Sequence, residues 1–158
     1  MALPKPQLTD PIQLAAFGFG SGLSPKAPGT VGSAAALLFY PLLAPLDPLV
    51  YALVVAAACI LGIWICGHAS ERLNIHDHPG IVWDEFAGMW ITLWAVPAEP
   101  LWVLAGFVVF RILDIAKPWP IGWLDKHTDG GLGIMIDDVV AGIVACAILH
   151  VALLGAAM

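Results

Sequence analysis

The chain has 158 residues, 60% of them hydrophobic and 11% charged, with 12 Asp and Glu against 6 Lys and Arg for a formal net charge of −6. Soluble domains carry about 25% charged residues, and a mean hydropathy of +0.89 implies more apolar surface than a compact fold of this size can hide. This excludes a disordered chain, an ordinary cytosolic domain and a nucleic-acid binder, which needs a basic face. It leaves one small integral membrane domain spanning residues 1–158.

The N-terminus, MALPKPQLTDP, places prolines where a signal peptide needs an apolar core, so no cleaved targeting segment is expected. Five apolar stretches follow, at about residues 33–46, 49–67, 86–96, 100–113 and 139–157. They are continuously apolar rather than alternating, which argues against a β-barrel. The expected fold is all-α: an integral membrane bundle of about five membrane-embedded helices, arranged as two hairpins plus a final span. The hairpin turns fall at Leu46-Asp47-Pro48 and at residues 96–100, and Pro41 is expected to kink the first span. Only the second and fifth stretches approach the ~20 residues that cross a bilayer. Cys59, Cys66 and Cys146 all sit in apolar runs, and an odd count there argues against a disulfide framework.

This pairing puts all six cations on one side of the membrane with ten of the twelve carboxylates, leaving Asp47 and Glu99 on the other. The positive-inside bias makes the cation-bearing side cytoplasmic. Three polar clusters lie there. The first, Ser24-Pro25-Lys26-Ala27-Pro28-Gly29-Thr30-Val31-Gly32-Ser33, is a glycine-rich turn opening a helix, either a plain capped turn or an anion site with Lys26, Thr30 and Ser33 as added donors. The second is His76-Asp77-His78 followed by Trp83-Asp84-Glu85. Its carboxylates cap a helix, or offer oxygen ligands to a divalent cation. The third runs from Phe110 through Arg111, Asp114 and Lys117 to Asp125, Asp129 and Asp137-Asp138, the last pair expected to open the final span. Arg111 and Asp114 are neighbours on one helix face. Ala141, Gly142 and Ala145 after them form a small-residue face that lets another helix approach. So many carboxylates, with only Arg111, Lys117 and Lys26 to neutralise them, would repel one another unless a divalent cation were bound.

Some partial motifs lead elsewhere. Cys66 to Arg72 spells the C-x5-R of cysteine phosphatases, but Cys66 ends an apolar run, where a thiol behaves as a small hydrophobe. His76-Asp77 lacks the further histidines of HD phosphohydrolases. Asp129-Gly130 lacks the remainder of the CDP-alcohol phosphotransferase pattern.

SPKAPGTVGS (24–33), HDHPGIVWDEFAG (76–88), FRILDIAKPWPIGWLD (110–125) and GGLGIMIDDVVAG (130–142) together resemble, in order and spacing, the successive motifs of the phosphatidylglycerophosphatase A family. The resemblance covers the chain from about residue 12 onward. It implies an all-α, Mg²⁺-dependent enzyme of the bacterial inner membrane that converts phosphatidylglycerophosphate to phosphatidylglycerol and inorganic phosphate. On that expectation, Mg²⁺ is held by a subset of Asp84, Glu85, Asp114, Asp137 and Asp138, with Asp77 a weaker ligand. Water attacks the terminal phosphorus directly, and a spare carboxylate (Asp84, Glu85 or Asp138) or His76 is the base. Arg111, Lys117 and Lys26 neutralise the phosphate beside the Gly29, Thr30, Gly32 and Ser33 turn. A covalent aspartyl-phosphate is the mechanistic alternative. The non-enzymatic alternative is a small carrier or channel that relays ions along carboxylates.

Overall fold

A computed structural model describes residues 4–75 and 78–157. Among them there is no strand. The helices are α1 (Pro11–Ala16), α2 (Pro28–Leu43), α3 (Pro48–Leu73), α4 (Trp83–Thr92), α5 (Pro100–Ala116), α6 (Ile121–His127) and α7 (Gly130–Ala156), with a 3-10 segment, Gly18–Leu23, after α1. The boundaries follow local chemistry. Pro11, Pro28, Pro48 and Pro100 each stand at a helix start, where a missing N–H costs nothing. Asp10 and Asp47 cap α1 and α3 by accepting from the N–H groups of Ile12 and Leu49. Asn74 and Lys117 close α3 and α5 in the left-handed region, at φ 53° and 42°.

Among the described residues only α3 and α7, which carry the second and fifth apolar stretches, are long and apolar enough to cross a membrane, in line with their lengths in the sequence. One expectation is corrected: α7 begins at Gly130, which puts Asp137-Asp138 two turns inside the helix rather than at its opening. α2 runs on past Pro41 to Leu43.

The ten-residue α4 is the hub, packed against α2, α3, α5 and α7. Its Phe86, Ala87, Gly88, Met89, Trp90 and Thr92 are all buried. Indole and phenol groups tie it to its neighbours. Trp90 Nε1 donates to Ala36 O at 3.0 Å, Trp83 Nε1 to Ala58 O at 3.1 Å, and Tyr51 Oη to Trp90 O at 2.7 Å. The small-residue face of α7 meets α4 at the predicted place: Ala141 and Ala145 are fully buried, and Gly142 lies against the Gly88 carbonyl. The outside of the bundle is as apolar as the inside, with Leu38, Leu53, Ile60, Leu101, Leu104 and Leu154 all exposed. Only 28% and 22% of the apolar windows of α3 and α7 are buried, so these helices present their hydrophobic residues outward, as a surface facing lipid does.

Successive long helices alternate in direction. The N-termini of α2 and α4, the C-termini of α3 and α5, and the first third of α7 therefore meet at one end. Asp47 and Glu99 cap helices at the other end.

Candidate active site

The meeting end holds a cavity of about 310 Å³. Among the described residues its walls carry six carboxylates, Asp84, Glu85, Asp114, Asp125, Asp137 and Asp138, and two cations, Arg111 and Lys117. Each comes from a helix for a local reason. Asp84 and Glu85 occupy the first turn of α4, where the helix dipole favours acids. Arg111 and Asp114 are one turn apart on α5 and bond at 2.6 Å. Lys117, the left-handed cap of α5, is aimed across the cavity and donates to Asp125 Oδ1 at 2.6 Å and Asp137 Oδ2 at 2.7 Å. Burial opposes the charge on Lys117, but those two hydrogen bonds win and hold its ammonium above the ordinary lysine range.

Two groups of carboxylate oxygens, each within 4.8 Å of one another, face the cavity: Asp84, Glu85 and Asp138, and Asp114, Asp137 and Asp138. Asp138 belongs to both. Asp84 Oδ1, Glu85 Oε2, Asp137 Oδ1 and Asp138 Oδ2 are buried without a hydrogen-bond partner, and so is the Nε donor of Arg111. Unpaired buried polar atoms are expensive, and clustered carboxylate oxygens of this kind could hold a metal ion. Burial, reinforced by Asp138, pushes the Glu85 carboxyl up to about 8 against the opposing pull of Asp84 and Arg111. Burial and the adjacent Glu85 raise Asp84 well above the usual carboxylate range.

The glycine-rich turn splits. Gly29 lies in the cavity wall, and a methyl there would collide with the Glu85 carboxylate and come within 3.3 Å of the Arg111 guanidinium. Ser33 is buried; its hydroxyl donates to Gly29 O at 2.9 Å and accepts from Arg111 Nη1 at 3.3 Å, so it braces the arginine. Gly32 packs on Val82, Thr30 lines a separate groove beside Arg111, and Lys26 is exposed outside the cavity walls. His76 and Asp77 lie outside the described residues. His78 is buried, accepting from Gly80 N at 3.0 Å and lying 5.1 Å from the Phe17 ring. Cys66 sits fully buried within α3, with no phosphate-wrapping loop after it, and Arg72 pairs with Asp10 at 2.6 Å. Asp125 was visible in the sequence only as one acid among several; its partner Lys117 is eight residues away across a helix break, so no helical spacing relates them.

A helical bundle whose cavity wall combines clustered acid oxygens with a braced guanidinium has groups of the kind a phosphatase uses. Comparison with known proteins narrows this: the chain belongs to the phosphatidylglycerophosphatase A family, whose model matches residues 14–153. It is 52% identical over 145 residues to the phosphatidylglycerophosphatase A of Escherichia coli (strain K12), covering 91% of this chain and 84% of that protein. It is 46% identical to that of Haemophilus influenzae, covering 90% and 89%. A third relative, 39% identical over 85% of this chain and 89% of its own length, is a candidate phosphatidylinositol-3-phosphatase of Bacteroides thetaiotaomicron. No solved structure matches the chain.

Proposed function

We propose that this phosphatase removes the terminal phosphate of phosphatidylglycerophosphate in a Mg²⁺-dependent reaction, as a multi-pass protein of the inner membrane with its cavity on the cytoplasmic face. One observation supports this above the rest. The same cavity holds four buried carboxylate oxygens lacking a donor and one buried guanidinium N–H lacking an acceptor, the complementary needs that a divalent cation and a phosphate satisfy together.

The donor set fits Mg²⁺, which takes oxygen ligands. Asp84 and Asp138 would hold it, with Asp114 and Asp137 beside them, which leaves Glu85 as the uncommitted carboxylate. When bound, the ion supplies charge neutralisation and polarises a phosphoryl oxygen. The protein does the rest. Arg111, fixed by Asp114 and Ser33, offers its free Nε–H to a phosphoryl oxygen. Glu85, nearest the Gly29 wall, takes a proton from water as the water oxygen bonds to the terminal phosphorus. The phosphorus–oxygen bond to the glycerol head group breaks, and its oxygen takes that proton back from Glu85 as phosphatidylglycerol leaves. Lys117 keeps Asp137 and Asp125 in place. The positive charges of Lys26, Arg72, Arg111, Lys117 and Lys126, all at the cavity end, support the cytoplasmic orientation. α4, too short to cross, is enclosed by the spanning helices.

The carrier alternative requires acids spaced through the membrane on facing helices. The carboxylates cluster at one end instead, which does not favour it. The test is phosphate release from vesicles containing phosphatidylglycerophosphate, without nucleotide. Release that stops with EDTA and returns with Mg²⁺ is expected; release indifferent to chelation would overturn the metal assignment.

A further inference from the structure

A lipid phosphatase must accommodate tails as well as a phosphate, and the outer seam between α2 and α5 meets that need. A groove of about 430 Å³ runs along it, lined by Thr30, Phe107, Val108, Arg111 and Ile112 and reaching Ile115 and Ala116 one turn past the arginine. A second groove, of about 370 Å³, shares Phe107 with it and continues past Ala34 and Leu104 to Pro100. Arg111 also lines the carboxylate cavity, so one guanidinium stands at the junction of a polar cavity and an apolar channel.

We propose that the α2–α5 seam seats one acyl chain of the lipid monophosphate, with Arg111 at the boundary between head group and tail; this rests on the phosphatase reading above. The dimensions agree. Arg111 to Pro100 is eleven residues of helix, roughly 16 Å at 1.5 Å per residue, and one leaflet of a ~30 Å hydrocarbon core is about 15 Å deep. A chain leaving a head group beside Arg111 thus has a channel to the bilayer midplane. The walls are open to receive it: Leu104, Val108 and Ile112 are 60%, 45% and 59% exposed. The larger apolar cavity, about 510 Å³ between α3, α4 and α7, shares no wall residue with the carboxylate cavity. It opens among Tyr51, Trp94 and His150, toward the other end of the bundle, and does not serve a head group held by Arg111.

The experiment uses the purified full chain and monomeric diacyl phosphatidylglycerophosphates with four-, five- and six-carbon acyl chains. Burying one methylene from water is worth about fourfold in affinity, so KM of the wild type should fall about fourfold per carbon added. Val108→Trp fills the first groove from an exposed position, and its KM should change less than twofold across the series. Ala56→Trp, in the unconnected cavity, should keep the wild-type slope. A Val108→Trp slope equal to wild type overturns the proposal. So does a flat wild-type series with normal turnover. As a second readout, a phosphatidylglycerophosphate carrying a diazirine on one acyl chain should label α2 and α5 of the wild type; labelling of α3 and α7, or cross-linking of a second copy, overturns it. Failure of the wild type to release phosphate from any of these lipids would instead refute the phosphatase reading, which separates the two.

Discussion

On the proposed mechanism Glu85 serves chemistry at the expense of stability. Its carboxyl titrates near 4.5 when unfolded and at about 8 in the folded, metal-free protein. The folded state therefore binds this proton more tightly, and stability is lost as pH rises from about 4.5 through 8. Glu85→Gln removes that loss. In EDTA at pH 8.5, the variant should melt several degrees above wild type, on the order of a few kcal/mol more stable, while phosphate release falls at least about a hundredfold. Melting curves at pH 5 and 8.5 check the sign, because the advantage should vanish at the lower pH. Asp138 offers a graded comparison. It belongs to both oxygen groups, and Asp114 to one. Asp138→Asn should thus weaken Mg²⁺ binding more than Asp114→Asn, by about tenfold, as read by titration calorimetry. Gly29→Ala tests the wall. Its methyl meets Glu85 and Arg111, and a displacement of about 1 Å at reacting groups can cost a hundredfold in rate, so turnover should fall 10- to 100-fold with the melting temperature little changed.

At the scale of elements, what was legible depended on range. Asp84-Glu85 in the first turn of α4 and the Arg111–Asp114 pair were readable because adjacency and a three-residue step translate directly into helix geometry. Ser33 bracing Arg111 spans 78 residues, and the Lys117 bridge from Asp125 to Asp137 depends on α6, a seven-residue helix whose mixed IGWLDKH pattern carries no clear periodicity. The third apolar stretch, too short to span, is packed inside the bundle as a hub: after the acidic first turn of α4, Phe86 to Trp90 are all buried because four helices surround them. That enclosure needs close helix approach. A methyl on Gly142 would lie 2.5 Å from the Gly88 carbonyl, a backbone atom that cannot rotate away. Gly142→Ala should push α7 from α4 and cost about 1–3 kcal/mol. It should also separate Asp138 from Asp84, so Mg²⁺ affinity should fall together with stability, a coupling that an exposed control such as Gly155→Ala would not show.

For the whole molecule, the charge distribution decides when the fold is at rest. Six carboxylates against two cations in the cavity walls leave an excess of negative charge in a partly desolvated space, where repulsion is stronger than in water. A divalent cation binding only the folded state removes that repulsion and adds stability of RT ln(1 + [L]/Kd), about 2.7 kcal/mol at a hundred times Kd. Its charge must also displace the proton on the neighbouring Glu85, so near neutral pH Mg²⁺ uptake should release protons and its apparent affinity should strengthen as pH rises from 6 to 8. Calorimetric titrations in two buffers of different ionisation enthalpy measure the proton count. Heats that do not depend on the buffer at pH 7 would show that the ion binds elsewhere. The Glu85→Gln variant must then lose the proton release even where it still binds Mg²⁺, which ties the linkage to this carboxyl rather than to the acids of the opposite end.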